Sequence, residues 1–214
     1  MNRLPSGLAV VLAASVVSPG CARQVALEPG VAGPRSDAAW IFDGSGSWRI
    51  EGERLVLATP GVPGGSIRRP AALAVIRGDP LRGASVRLQL RSTAPVDAPQ
   101  RDLAIVLGYQ TPSRFYYVHL AGLTDEVHNG IFLVADADRR RLDAGTGGPQ
   151  LTDQSWHDVR VEWDGASGRM DVFFDGSAEP VLSAIDRTLT EGRVGVGSFD
   201  DTGEFRSIRV LNPR

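Results

Sequence analysis

The chain has 214 residues, with 23 lysines and arginines against 25 acids, a formal charge of −2 and a sequence pI near 5.9. That balance offers no electrostatic footprint for a nucleic-acid partner. A single cysteine excludes an internal disulfide.

The amino-terminal stretch has the order of a secretory signal. Asn2 and Arg3 precede the apolar run Leu8 to Val17, and Ser18-Pro19-Gly20-Cys21 follows. The run is well short of the ~20 residues that a membrane-spanning helix needs. Cys21 falls where a bacterial lipoprotein signal places its lipidated cysteine. The segment resembles a lipobox, with Gly20 in the required place, although Ser18 stands where an aliphatic residue is usual and Pro19 is also unusual. The expectation is a signal over residues 1–21 and a lipid anchor on Cys21, the only attachment to a membrane; the alternative is a plain secretory signal. Ala22 replaces the aspartate that would retain a lipoprotein at the inner membrane, which points to the periplasm, outer membrane or cell surface. Residues 22–37, rich in Ala, Pro and Gly, read as a tether, and residues 38–214 suit one domain with a sizeable core.

From Ala38 the punctuation is all-β, with glycines and prolines breaking up short alternating runs. Trp48–Ile50 and Arg54–Ala58 flank Glu51-Gly52-Glu53 as a hairpin. In Ala84–Ser92, Val86, Leu88 and Leu90 point inward. Leu103–Gln110 is apolar on both faces, as a central strand buried on both sides would be. Phe115–Leu120 is a strand with Phe115, Tyr117 and His119 on one face, and Ile131–Ala135 is a short apolar one. His157–Trp163 sends Val159, Val161 and Trp163 inward and Asp158, Arg160 and Glu162 outward. Arg169–Gly176, Gly192–Phe199 and Phe205–Leu211 complete the strands, while Pro180–Leu189 reads as containing a helical turn. The predicted fold class is a two-sheet antiparallel β-sandwich.

Three segments carry a resemblance. They are Trp156-His-Asp-Val-Arg-Val161 followed by Met170-Asp-Val-Phe-Phe-Asp-Gly176; Gly192-Arg-Val-Gly-Val-Gly-Ser-Phe199 running into Phe205–Val210; and Trp48-Arg-Ile-Glu-Gly-Glu-Arg-Leu55. Together they resemble the concanavalin A-like lectin/glucanase superfamily, the jelly roll of laminin G and pentraxin domains. The last is similar to the opening of the 3-keto-disaccharide hydrolase (DUF1080) group. The resemblance implies a jelly-roll sandwich and, as function, carbohydrate binding or glycoside cleavage. The E-x-D-x-x-E of laminarinase-like members is broken, because Glu162-Trp163-Asp164 is followed by Ser167 where the third acid belongs.

The candidate site is the strand end and loop from Tyr117 to Asn129. His119, Asp125 and His128 are candidates for acid/base work or for a metal, with Tyr117 as a stacking platform and Asn129 and Asp125 as hydroxyl binders. Arg160 on a neighbouring strand is expected to join them. The competing reading makes His119 a strand-closing residue and His128 a surface residue. Asp43, Asp200 and Asp201 could supply oxygen ligands to calcium, which the resemblance implies as a structural ion; no other cofactor is required. Arg139-Arg140-Arg141 reads as a solvated turn, from which an arginine could project to clasp an acidic sugar. The residues leave three functions open: an envelope carbohydrate binder, a glycoside hydrolase or lyase with His119 as acid/base, and an adhesion module without a small ligand.

Overall fold

Residues 38–145 and 147–211 are described by a computed structural model, so the signal, Cys21 and the tether lie outside the described residues. Two seven-stranded antiparallel sheets face each other. The first has the order β1 (Trp40–Gly44), β4 (Ala72–Ile76), β13 (Arg193–Ser198), β6 (Asp102–Thr111), β7 (Arg114–Ala121), β8 (Gly130–Ala135) and β9 (Arg140–Arg141). The second has the order β12 (Leu182–Ile185), β11 (Arg169–Phe174), β10 (His157–Asp164), β5 (Gly83–Ser92), β14 (Gly203–Leu211), β3 (Arg54–Thr59) and β2 (Ser47–Glu51). The all-β jelly-roll sandwich is therefore the fold.

The alternating strands do what their period dictates. Val86, Leu88 and Leu90 of β5 meet Val159, Val161 and Trp163 of β10, and all are buried between the sheets. The strand predicted to be buried on both faces, β6, is the fourth of seven in its sheet. Its Leu103, Ile105 and Leu107 enter the main core, while Ala104 and Val106 enter a second apolar cluster on the outer face. At its far end the ladders to β7 and β13 both shift register. Gly108, at φ 59°, makes that kink, and a Cβ on Gly192 would lie 2.2 Å from its carbonyl carbon.

Three strands escaped the sequence. β1 and β4 are short apolar segments without alternation, and β9 has two residues. One expectation is corrected: Pro180–Leu189 holds no helical turn but the edge strand β12, with Leu182 and Ala184 buried and Ser183 and Ile185 exposed.

The second cluster positions the site. Leu73, Val75, Ala104, Val106, Tyr109, Phe115, Tyr117, Phe132, Val134 and Phe199 line the outer face of the first sheet, with Ile41 and Ile67 packed against them. At its lower end this apolar floor gives way to His119 and Asp102.

Candidate functional site

His119 follows Phe115 and Tyr117 on the outer face of β7 and is 1% exposed. Its Nδ1 donates to the Val127 carbonyl at 3.0 Å, which fixes the proton on that nitrogen and turns Nε2 toward Asp102. The Nε2–Oδ2 separation is 3.2 Å. The contact has ion-pair distance but not hydrogen-bond alignment, so Nε2 is a buried nitrogen without a hydrogen-bond partner among the described residues.

Asp102 opens β6 and is buried. Its Oδ1 accepts from Ser198 Oγ at 2.7 Å and from the Phe199 N–H at 2.9 Å, and its own N–H donates to Asp201 Oδ2 at 2.9 Å. Burial works to raise the Asp102 carboxyl, but His119, Ser198 and the Phe199 N–H outweigh it and hold it below the ordinary aspartate range. The neighbouring acids move the other way. Burial, then the charge of Asp102, raises Asp200, and the same two causes push Asp201 up to about 6.

His128 faces His119 across 5.5 Å between ring centroids. Its Nδ1 lies 2.9 Å from both oxygens of Asp125, and Asp125 Oδ1 also accepts the Val127 and His128 N–H groups. Burial is the largest single influence and opposes ionisation of Asp125, but those bonds together outweigh it and lower the carboxyl. The loop is thus tied so that the His128 Nδ1–H is held by a carboxylate.

A pocket of about 170 Å³ opens above these groups, lined by Arg68, Gln100, Asp102, His119, His128, Arg139, Phe199 and Asp200, with Pro63 at its edge. The Arg139 guanidinium lies 4.5 Å over the Phe199 ring and donates to the Tyr117 hydroxyl at 3.3 Å. Asp102, Asp200 and Asp201 each bring an oxygen within 4.8 Å of the others.

The structure separates the sequence-based candidates. His119 and His128 converge on the pocket, and Asp125 orients His128 from behind. Tyr117 is no platform: it is fully buried, stacked on Phe132 at 5.2 Å. Asn129 has nothing left for a ligand. Its Oδ1 accepts from the Ala121 N–H and its Nδ2 donates to Ala121, Leu123 and Thr124, which shape the loop while Asn129 itself sits at φ 46°. Arg160 is on the other sheet, where it donates to Glu162 at 3.0 Å. Asp43 does not join Asp200 and Asp201, since it accepts from Tyr109 and pairs with Arg69; Asp102 takes its place.

The arginine triplet is not a solvated turn. Arg139 caps the pocket, Arg140 pairs with Asp186, and Arg141 binds Asp143 and the carbonyls of Asp125, His128 and Asn129. Sequence reasoning missed Asp102, Arg68 and Gln100. An aspartate opening a strand apolar on both faces was the one signal available.

No protein-family model matches the chain, and no curated protein matches it. Solved structures do. A carbohydrate-binding module, CBM66 from Bacillus subtilis, superposes with a TM-score of 0.62 at 12% identity, covering 81% of this chain and 95% of that one. The potassium-bound carbohydrate recognition domain of Emp46p gives 0.54 at 12% identity, over 87% and 95%. A Bauhinia forficata lectin in complex with GalNAc gives 0.51 at 16%, over 86% and 95%. At these identities the likeness concerns architecture. The chain has the concanavalin A-like jelly-roll fold.

Proposed function

We propose that this protein binds carbohydrate in the pocket between the β7–β8 loop, the start of β6 and the turn after β13. The observation that carries the reading is the mixture of groups lining one small cavity: two imidazoles, two carboxylates, two guanidiniums, an amide and the edge of an aromatic ring. Fixed donors and acceptors beside an apolar wall suit a ring that bears hydroxyls on its rim and C–H groups on its face. The volume is below the ~300–1,000 Å³ that encloses a drug-sized ligand, so the pocket takes one sugar ring or a chain end. The shared fold of a carbohydrate-binding module and two sugar-recognising proteins supports the reading. Titration of the protein with an oligosaccharide panel, followed by calorimetry, tests it, with Arg68→Ala and Gln100→Ala as lining variants that leave the buried His119–Asp102 contact intact. Loss of binding in both is expected; binding that neither variant weakens would refute the site.

Glycoside cleavage is the second reading, favoured by His128, whose Nδ1–H is held by Asp125 as a base's would be. Mass spectrometry of the same mixtures separates the two, because cleavage leaves products and binding leaves none.

The pocket floor also holds a divalent cation on this reading. Three carboxylates alone would be an ordinary acidic cluster, but the buried His119 Nε2 points at Asp102 without a hydrogen-bond partner. Oxygen donors suit calcium, and the imidazole nitrogen favours manganese or zinc. A thermal shift with each ion, lost in Asp201→Asn, is the expected result; no shift with any of them would exclude the ion. Export and a lipid anchor on Cys21 belong to the same proposal. Fatty-acid labelling of the expressed protein that disappears in Cys21→Ala would support the anchor, and unlabelled protein would exclude it.

A further inference from the structure

The outer face of the second sheet carries a feature that sugar binding in the pocket does not use. Arg87 of β5 stands directly opposite Arg160 on β10 and directly opposite Arg209 on β14. Three guanidiniums therefore rise from one row across three adjacent strands, and like charges placed opposite each other destabilise a sheet. Phe173 of β11 continues the row, opposite Arg160. The Arg160 guanidinium lies 3.5 Å over its ring, which makes a flat, cationic platform.

The row exists because β14 is bulged. Phe205, Ile208 and Val210 all enter the core, a spacing that a regular strand cannot produce. The register shifts between Arg206 and Arg209, and Ser207 absorbs the extra residue at φ 52°. Without the bulge Arg209 would share the core-side parity of Phe205. With it, Arg209 points outward beside Arg87.

The acids of β10 are taken by other groups. Glu162 takes Arg160 and Ser85, and Asp158 takes Gln89. Arg87 has no hydrogen-bond or ion-pair partner among the described residues. A groove of about 480 Å³ runs over the three arginines, walled by Phe173, Asp158 and Ser207.

We infer that this groove is a second binding site, for an acidic sugar chain. Guanidinium forks pair with carboxylate or sulfate oxygens two at a time, and the Phe173–Arg160 stack offers a face to a sugar ring. The site lies on the opposite sheet from the His119 pocket and does not depend on it.

The test uses the full chain. Calorimetric titration with oligogalacturonate and with dextran sulfate is compared with unsulfated dextran, in the wild type, Arg87→Gln, Arg209→Gln and the pocket variant Arg68→Ala. The expected result is binding of one or both acidic chains but not dextran, weakened by salt, reduced at least tenfold in Arg87→Gln and Arg209→Gln and unchanged in Arg68→Ala. Arg87 and Arg209 are exposed, so their variants keep the fold, which an unchanged unfolding midpoint or a higher one verifies. No binding of either acidic chain, or binding that Arg87→Gln leaves intact, would overturn the inference.

Discussion

His119 Nε2 and Asp102 Oδ2 lie 3.2 Å apart on the floor of the pocket, both residues almost wholly buried. Residue 119 pairs with Ala104, two positions along β6 from Asp102, so the contact is a diagonal one set by the β6–β7 register. Asp102 also accepts from Ser198 Oγ and the Phe199 N–H at this depth, so its removal strands buried donors. Asp102→Ala should lower stability by about 1–3 kcal/mol, the usual cost of leaving a buried donor unsatisfied. Urea unfolding reads it, and a loss under about 1 kcal/mol would mean that the contact behaves like a surface pair.

The acids around the pocket give the fold a pH signature with opposite slopes. Asp201, raised to about 6 from an ordinary 3.8, binds its proton more tightly folded than unfolded. Its contribution therefore declines as pH rises from about 4 to about 6. Asp102, lowered, stabilises the fold above the ordinary aspartate range and withdraws that support as pH falls through its folded value. Unfolding midpoints measured from pH 3 to pH 7 should show the first decline flattened in Asp201→Asn. An identical profile in that variant would remove Asp201 as its source.

Tyr116 tests the other side of the first sheet. Its hydroxyl accepts the buried Leu189 N–H at 2.9 Å and donates to Asp186 Oδ1 at 2.7 Å. Asp186 is held near 2, where burial is outweighed by hydrogen bonds from Thr188, Tyr116 and Arg140. Tyr116→Phe leaves the Leu189 N–H without its acceptor and should cost about 1–3 kcal/mol in urea unfolding. No change would show that the loop finds another acceptor.

Relief of the arginine row has a measurable sign. Arg87→Gln removes the central charge of three in register and should stabilise the unliganded protein by about 0.2–1 kcal/mol. A drop in the unfolding midpoint would mean that Arg87 is held by favourable contacts instead.

The strands that alternate could be read from sequence because burial on one face writes itself into every second residue, as in β5 and β10. The strands that were missed lack that code. Ala72–Ile76 is buried throughout, and Leu182–Ile185 alternates for only four residues behind Pro180. The same physics divided the site. The parity of Phe115, Tyr117 and His119 was right, but parity does not say what covers a face; Ile67, Phe199 and Arg139 cover this one, so Tyr117 became floor. Parity also does not say which sheet a strand joins, which is why Arg160 ended on the far side. Asp102 meets His119 through the β6–β7 ladder, from seventeen positions away in the chain, and no local pattern announces such a pairing.

The most direct measurement of the central claim is a calorimetric titration of the protein with the oligosaccharide panel, run beside Arg68→Ala. The account predicts saturable binding of at least one sugar, weakened in the variant while the unfolding midpoint stays where it was. Heat of binding that is the same in wild type and variant would contradict a sugar site in the His119 pocket, and so would the absence of binding across the panel.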